Sequence, residues 1–452
     1  MNMNTQINIS HKQLFKMSML ALLVAIILIA ISSNSQAQDR TLTLQEAVKL
    51  GLDNSKTLKY SQAKIDEAVS QYNQAKDKAL PTGSVSLTYD RAEIPANVLA
   101  FGPERIALPT GANAYLGIAS LNETIFGGNK MKYARQSTDL LTQVSRLDAD
   151  KDKNEIAYDV ISEYYNLYKV LQSIKVVNQN ISTVDAQIHQ SQRFFDQGLV
   201  TKNDVLRFQL QKANIQLNGI DLENNRKVIN YNLDVLLGLP ETTTIHIDTL
   251  VDDGRNVAPL TAYLDSAYQN RQELKQLDIR RRVADITIKD TKANVLPNLS
   301  ASVGGYYVDV AANPFPTGEN YITPVTIGAT LSWNFGALWT NKNKVAQANI
   351  QKEEVDINRG ITLDNVKDEV NQDYQNYVAA VDKIQLLQTS IAQAGENNKI
   401  LQSKYQSNTA SATDRADAET LLYQAQINLE LAKADAGLAY YTLIKSTGTL
   451  NK

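Results

Sequence analysis

The chain has 452 residues, a formal charge of −3 and no cysteine. The missing cysteine excludes disulfides, thiolate sites and a lipidated cysteine, and the mild acidity argues against nucleic acid as a partner. Proline is scarce, and long segments rich in Ala, Gln, Asn, Leu and Lys give a composition unlike that of an ordinary globular domain.

Residues 1–37 have the form of a secretory signal peptide. Lys12 and Lys16 make the basic start, Met17 to Ile31 the apolar core, and Ser35-Gln36-Ala37 the small-x-small cleavage site. The apolar run of about 15 residues falls short of the roughly 20 that a spanning helix needs, so the reading is export rather than a retained anchor. Removing the two lysines leaves a still more acidic mature chain.

An amphipathic helix pattern then runs to Pro81, where proline stops the ladder. Val85, Leu87 and Tyr89 follow in strict alternation with polar residues, which predicts a strand with one apolar face. A loop from Ile94 to Gly111 holds three prolines and leads to a less regular strand at Tyr115–Ile125. From about Asn129 to Gln197 there is no proline. Val160, Tyr164, Leu167, Leu171, Ile174, Asn178, Ile181, Asp185 and Ile188 recur at alternating spacings of four and three, a heptad seam with two polar positions. At about 1.5 Å per residue such a helix is on the order of 100 Å long. After Gly198 the pattern returns through Leu206, Leu210, Ala213, Leu217 and Ile220, so two long helices form a hairpin.

The same order then repeats. Leu44, Asn54, Leu58, Ala68, Lys76 and Leu80-Pro81 align with Leu260, Asn270, Leu274, Ala284, Lys292 and Leu296-Pro297 at an offset of 216. Val160, Tyr164, Ile174 and Ile181 recur as Val370, Tyr374, Ile384 and Ile391 at an offset of 210. The second strand pair is read at Ser300–Val308 and Val325–Phe335, around a loop at Ala312–Pro324. The chain therefore divides into a signal peptide (1–37), a first repeat (38–257) and a second repeat of the same architecture (258–452).

Strand pattern alone fits a small periplasmic β-domain as well as it fits membrane-crossing strands of about ten residues. Closure separates the two. Four strands in lipid leave two open edges, each unpaired backbone group there costs several kcal/mol, and closed barrels start at about eight strands. An eight-stranded barrel is filled by its own side chains, so three chains with twelve strands are the smaller assembly that leaves a lumen. The fold class expected is mixed and mainly α: long antiparallel helical hairpins with four membrane strands per chain, built by tandem duplication.

Several ordered motifs carry a resemblance: Phe126-Gly127-Gly128 leading into the long helix, Phe195-Asp196-Gln197-Gly198-Leu199-Val200-Thr201-Lys202-Asn203-Asp204-Val205-Leu206, Leu236-Leu237-Gly238-Leu239-Pro240, and the closing Thr447-Gly448-Thr449-Leu450. With the duplication, this set resembles the outer-membrane efflux proteins, the TolC-like channel-tunnels, across essentially the whole mature chain. The resemblance implies a homotrimer with a twelve-stranded barrel in outer-membrane lipid and a helical tunnel across the periplasm. It also implies a passive duct that docks on a periplasmic adaptor and an inner-membrane pump, and it needs no cofactor. It places the turns at Gly198 and Asn408 at the periplasmic tips, puts Asp414 and Asp417 at the aperture, and suggests a latch hydrogen bond between Tyr405 and Asp204. Some relatives carry an arginine where this chain has Ala410, so that part of the latch is missing. Read without the resemblance, the two aspartates solvate a helix end equally well.

Residues suited to other chemistry are few. His189 and His246 lie far apart in sequence and read as surface residues, and Arg280-Arg281-Arg282 reads as a solvated helix face. No phosphate loop, nucleophile elbow or acid/base constellation is visible, so an enzyme is not expected. The alternative to a duct is a structural or adhesive coiled-coil protein of the envelope.

Overall fold

The structure is a computed structural model that describes residues 39–93, 95–96, 98–247, 257–313 and 321–450. The expected signal peptide lies outside these residues, as do parts of the two proline-rich loops. The chain forms two compact units, each drawn from both halves. One contains the chain up to Ser55, Ile156–Val257 and Gln375–Leu443; the other contains Lys56–Glu155, Ala258–Tyr374 and the segment from Ile444 onward.

The first unit is built on long helices. α1 (Leu44–Asn54) starts at a capping box in which the Thr43 hydroxyl accepts from the Glu46 amide and the Glu46 carboxylate accepts from the Thr43 amide. It packs with the middle of α3 (Lys130–Asp196) and the end of α4 (Lys202–Leu237) around Leu42, Ala47, Val160, Tyr164, Leu167, Leu233, Leu237 and Ile245. β1 (Asp39–Leu42) pairs in parallel with β6 (Thr244–Ile247) beside this core, and the Tyr164 hydroxyl donates to the Leu42 carbonyl at 2.9 Å. The later part of α7 (Ala337–Gln406) and most of α8 (Ala412–Ser446) complete the unit.

The second unit carries the sheet. β2 (Thr82–Glu93), β5 (Gly111–Phe126), β7 (Asn298–Asn313) and β9 (Val325–Ser332) pair antiparallel in that order, and the two-residue β8 (Tyr321–Ile322) adds to β7. β2 and β9 are the outer strands. Val85 and Leu87 on β2, and Val325, Ile327 and Leu331 on β9, stand exposed in period two. α2 (Lys56–Asp77), α5 (Leu260–Asn270) and α6 (Gln272–Lys292) pack with the early parts of α3 and α7. There the Thr142 hydroxyl donates to the Ala68 carbonyl, the Asn341 amide donates to the Thr291 carbonyl, and Lys352 and Asp285 form an ion pair. Arg281 pairs with Asp356 at 2.9 Å on the solvent side of the helices, and Arg280, Arg281 and Arg282 are all exposed.

Three sequence expectations are corrected. The inner strands β5 and β7 have 16 residues each, longer than Tyr115–Ile125 and Ser300–Val308. Their ends are rich in Gly, Ala and Asn, which pair along the backbone without showing alternation. A short hairpin of β3 (Val98–Phe101) and β4 (Glu104–Ala107) occupies the loop that follows β2. The helical stripes are also displaced. On α3 the buried positions beyond Leu167 are Ser173, Val177, Asn180, Val184, Gln187 and Ser191, one residue before the apolar seam, while Ile174, Ile181 and Ile188 are half-buried and Asn178 is exposed. On α4 the buried residues are Val205, Phe208 and Ile215, and Leu206, Leu210, Leu217 and Ile220 are exposed. Among the described residues, the apolar stripe of α4 thus lies on a face left exposed and that of α3 on a face only half covered.

Candidate functional site

The two long hairpins turn in the same way. α3 ends at Asp196, and Gly198 takes φ +75°; its amide donates to the Phe195 carbonyl at 2.8 Å and the Leu199 amide to the Phe194 carbonyl at 2.9 Å. At the offset of 210 the turn recurs: Asn408 takes φ +55°, its amide donates to the Tyr405 carbonyl at 3.1 Å, and the Thr409 amide donates to the Lys404 carbonyl at 2.9 Å. A left-handed residue is cheapest as glycine and next cheapest as asparagine, which is why these two types hold the turns.

The returning helices also start alike. Asp204 Oδ2 accepts from the Thr201 amide and hydroxyl, both at 2.8 Å. Asp414 Oδ2 accepts from the Ser411 amide at 3.1 Å and the Ser411 hydroxyl at 2.7 Å, and the Asp414 amide returns a bond to that hydroxyl. Both are capping boxes with an aspartate in the third position. The Ser411 hydroxyl and amide hold the Asp414 carboxyl below its usual range. Asp414 and Asp417 are both exposed, one turn apart on the outer side of α8.

Behind this exposed face lies a buried cluster of the first unit. Phe208, Tyr405, Ala412 and Ala416 form its core, with Phe194 and Ile188 against it. The Tyr405 ring meets Phe208 edge-on and Phe194 at a tilt, each with 5.9 Å between centroids. The expected Tyr405–Asp204 hydrogen bond is not made. Asp204 spends one oxygen on its own helix cap, and the buried Tyr405 hydroxyl has no hydrogen-bond partner. Ser191 lies beside that hydroxyl without reaching bonding geometry. Burial pushes the Tyr405 phenol up, Ser191 opposes this, and the nearby Asp204 charge adds to the rise.

The sequence reading missed the polar group next to this cluster. Arg415 and Glu419 are each only 4% exposed and pair at 3.0 Å. Gln187 on α3 donates to Glu419 at 3.2 Å, and Arg415 also contacts Asn398 on α7. The repeat alignment held the signal: at the offset of 210, Arg415 faces Val205 and Glu419 faces Gln209, so a charge stands where its twin is apolar. His189 and His246 are both exposed, in keeping with their reading as surface residues.

A duplicated chain with an exposed, apolar-faced antiparallel sheet and long helical hairpins ending in matched turns defines a class of envelope channel proteins. The family profile "Outer membrane efflux protein" matches residues 47–239 and again 263–449. The chain is 21% identical to the outer membrane protein TolC of Escherichia coli (strain K12) over 448 residues, which covers 96% of this chain and 87% of TolC. Among solved structures, the outer-membrane channel OprN superposes with a TM-score of 0.74 at 14% identity, covering 90% of each chain. The outer membrane protein VceC of Vibrio cholerae superposes with a TM-score of 0.73 at 15% identity, covering 90% of this chain and 96% of VceC. The chain belongs to the outer membrane efflux protein family. It is an outer-membrane efflux channel with an extended periplasmic part, of the kind that serves tripartite systems, and the matches do not favour an adhesive role. Its relatives are channel proteins rather than enzymes.

Proposed function

We propose that three copies of this chain close a twelve-stranded barrel and form a passive export duct, which docks on a periplasmic adaptor and an inner-membrane pump. The observation that carries this reading is the sheet ending at β2 and β9 with nothing paired beyond either strand among the described residues. Lipid tolerates no such edges, and closure needs at least about eight strands. The uncovered stripes support it as well. Leu206, Leu210, Leu217 and Ile220 on α4, and Ile350, Ile357 and Ile361 on α7, are large, exposed and helically spaced, as faces awaiting another copy would be. The two structural repeats, 38–257 and 258–452, each supply one strand pair and one hairpin to the assembly.

In this reading Trp333 and Phe335, both exposed and in edge-on contact, sit near the lipid interface. The turns at Gly198 and Asn408 are the periplasmic tips that meet the adaptor. Asp414 and Asp417 stand at the aperture, six carboxylates in three chains, a ring that favours cations. The test is the mass of detergent-extracted protein together with planar-bilayer recording. A trimer and discrete conductance steps are expected; a stable monomer would sink the assembly. Label added to whole cells should reach the loops at 94–111 and 312–324 and not the tips, and the opposite pattern would reverse the orientation.

A further inference from the structure

The buried pair Arg415–Glu419 is costly packing for the first unit. Within one patch, Gln187 Oε1, Ser191 Oγ and the Tyr405 hydroxyl are buried without hydrogen-bond partners. Buried charges are expensive even when paired, and unpaired polar neighbours add to the cost. The chain holds its own control. In the first hairpin the position equivalent to Arg415 is Val205, equally buried at 4% exposure, and the position equivalent to Glu419 is Gln209, which is exposed. The fold therefore needs no charge at this place to turn and cap a hairpin.

What the pair does hold is position. Arg415 lies between Asp414 and Asp417 in sequence and points to the opposite, buried side of α8. Its partner Glu419 accepts from Gln187 on α3, and Arg415 itself reaches Asn398 on α7. One ion pair thus ties the first two turns of α8 to two other helices. Separating such a pair leaves each charge buried alone, so the pair resists any shift that parts the helices it joins.

We propose that Arg415 and Glu419 are positioning residues for the aperture. Their buried pair clamps the start of α8 against α3 and α7, and so fixes where Asp414 and Asp417 stand; movement of the tip requires that pair to be broken. This rests on the duct reading for its functional meaning. The test uses the full-length protein and three variants: Arg415→Val/Glu419→Gln, which installs the residues of the first hairpin; Arg415→Val alone; and the exchange Arg415→Glu/Glu419→Arg. Two measurements are made, resting conductance in planar bilayers and hydrogen exchange of the 409–421 segment in detergent, with 199–211 as the internal reference.

The Val/Gln variant should assemble normally, conduct severalfold more at rest and exchange faster at 409–421 only. The single variant should show the same with loss of stability, because Glu419 is left buried alone, and the exchange variant should return both measurements toward wild type. Unchanged conductance in an assembled Val/Gln variant overturns the proposal, including when exchange rises, since the pair would then be structural only. A wild type that gives no conductance steps overturns the duct reading instead. In that case faster exchange confined to 409–421 still supports the clamp, and unchanged exchange removes it.

Discussion

Asp234 offers the clearest quantitative test of how this chain is held together. It is fully buried on α4, with Oδ2 accepting from Asn230 at 2.8 Å and Oδ1 without a partner. Asn230 in turn donates to the Thr243 carbonyl at 2.7 Å and accepts from the Ile245 amide at 2.8 Å, which fixes β6 to the helix. Burial raises the Asp234 carboxyl from 3.8 to about 6, against the opposing pull of the Asn230 amide. Because the folded value lies above the unfolded one, the native state holds the extra proton between about pH 4 and 6. Stability from this group is therefore full below about pH 4 and falls as pH rises to about 6. A shift of about two units corresponds to about 3 kcal/mol. Asp234→Asn keeps the shape and an oxygen for Asn230 while removing the charge. Guanidinium unfolding from pH 4 to 8, with exchange of the Ile245 amide as a local probe, should show the variant about 3 kcal/mol more stable at pH 7.5 and equal to wild type near pH 4. A variant less stable than wild type at pH 7.5, or a difference that does not change between pH 4 and 6, would refute the reasoning.

Two further outcomes test the tips. Gly198→Val should cost about 1–2 kcal/mol in the turn, the penalty for a β-carbon in the left-handed region. A β-carbon at Gly198 meets nothing within 4 Å, so assembly should persist while export falls, and normal export would remove this turn from the docking surface. Asp414→Ala/Asp417→Ala should lower cation preference and block by trivalent cations. Asp414→Asn/Asp417→Asn should do the same while preserving an acceptor for Ser411, which separates the charge effect from loss of the capping box. Unchanged selectivity in both would take the carboxylates away from the aperture.

The architecture was legible because it is written twice. Period-two runs at Val85–Tyr89 and Val325–Leu331, Pro81 and Pro297 at the helix ends, and the glycine at 198 each act locally, so sequence shows them directly. The inner strands β5 and β7 were read short because Gly and Ala pair without a side-chain rhythm. The buried stripe of α3 was misplaced for a different reason. A helix that shares two faces has apolar residues on both, and the face buried within one chain here contains Ser173, Asn180, Gln187 and Ser191. Hydrophobicity alone selected the other face. The Tyr405–Asp204 bond could not be read for or against from sequence, because the Asp204 carboxylate is turned to Thr201 by its own helix cap.

Backbone turns and caps are set by a few residues, and both hairpins keep them: Gly198 and Asn408 in the left-handed region, Thr201 with Asp204, Ser411 with Asp414. With the tips fixed in this way, the side chains behind them are free to differ. Phe195 in the first hairpin is partly exposed, whereas Tyr405 at the matching position is buried with an unpartnered hydroxyl. Val205 is apolar where Arg415 is charged. Each difference gives the second hairpin a polar or charged side chain behind its tip where the first has an apolar one. The unpartnered polar atoms here come from both hairpins, Gln187 Oε1 and Ser191 Oγ on α3 and the Tyr405 hydroxyl on α7, so all three gain partners only where the hairpins separate and water enters. On the proposed clamp, the pair Arg415–Glu419 decides whether the start of α8 stays against α3 and α7.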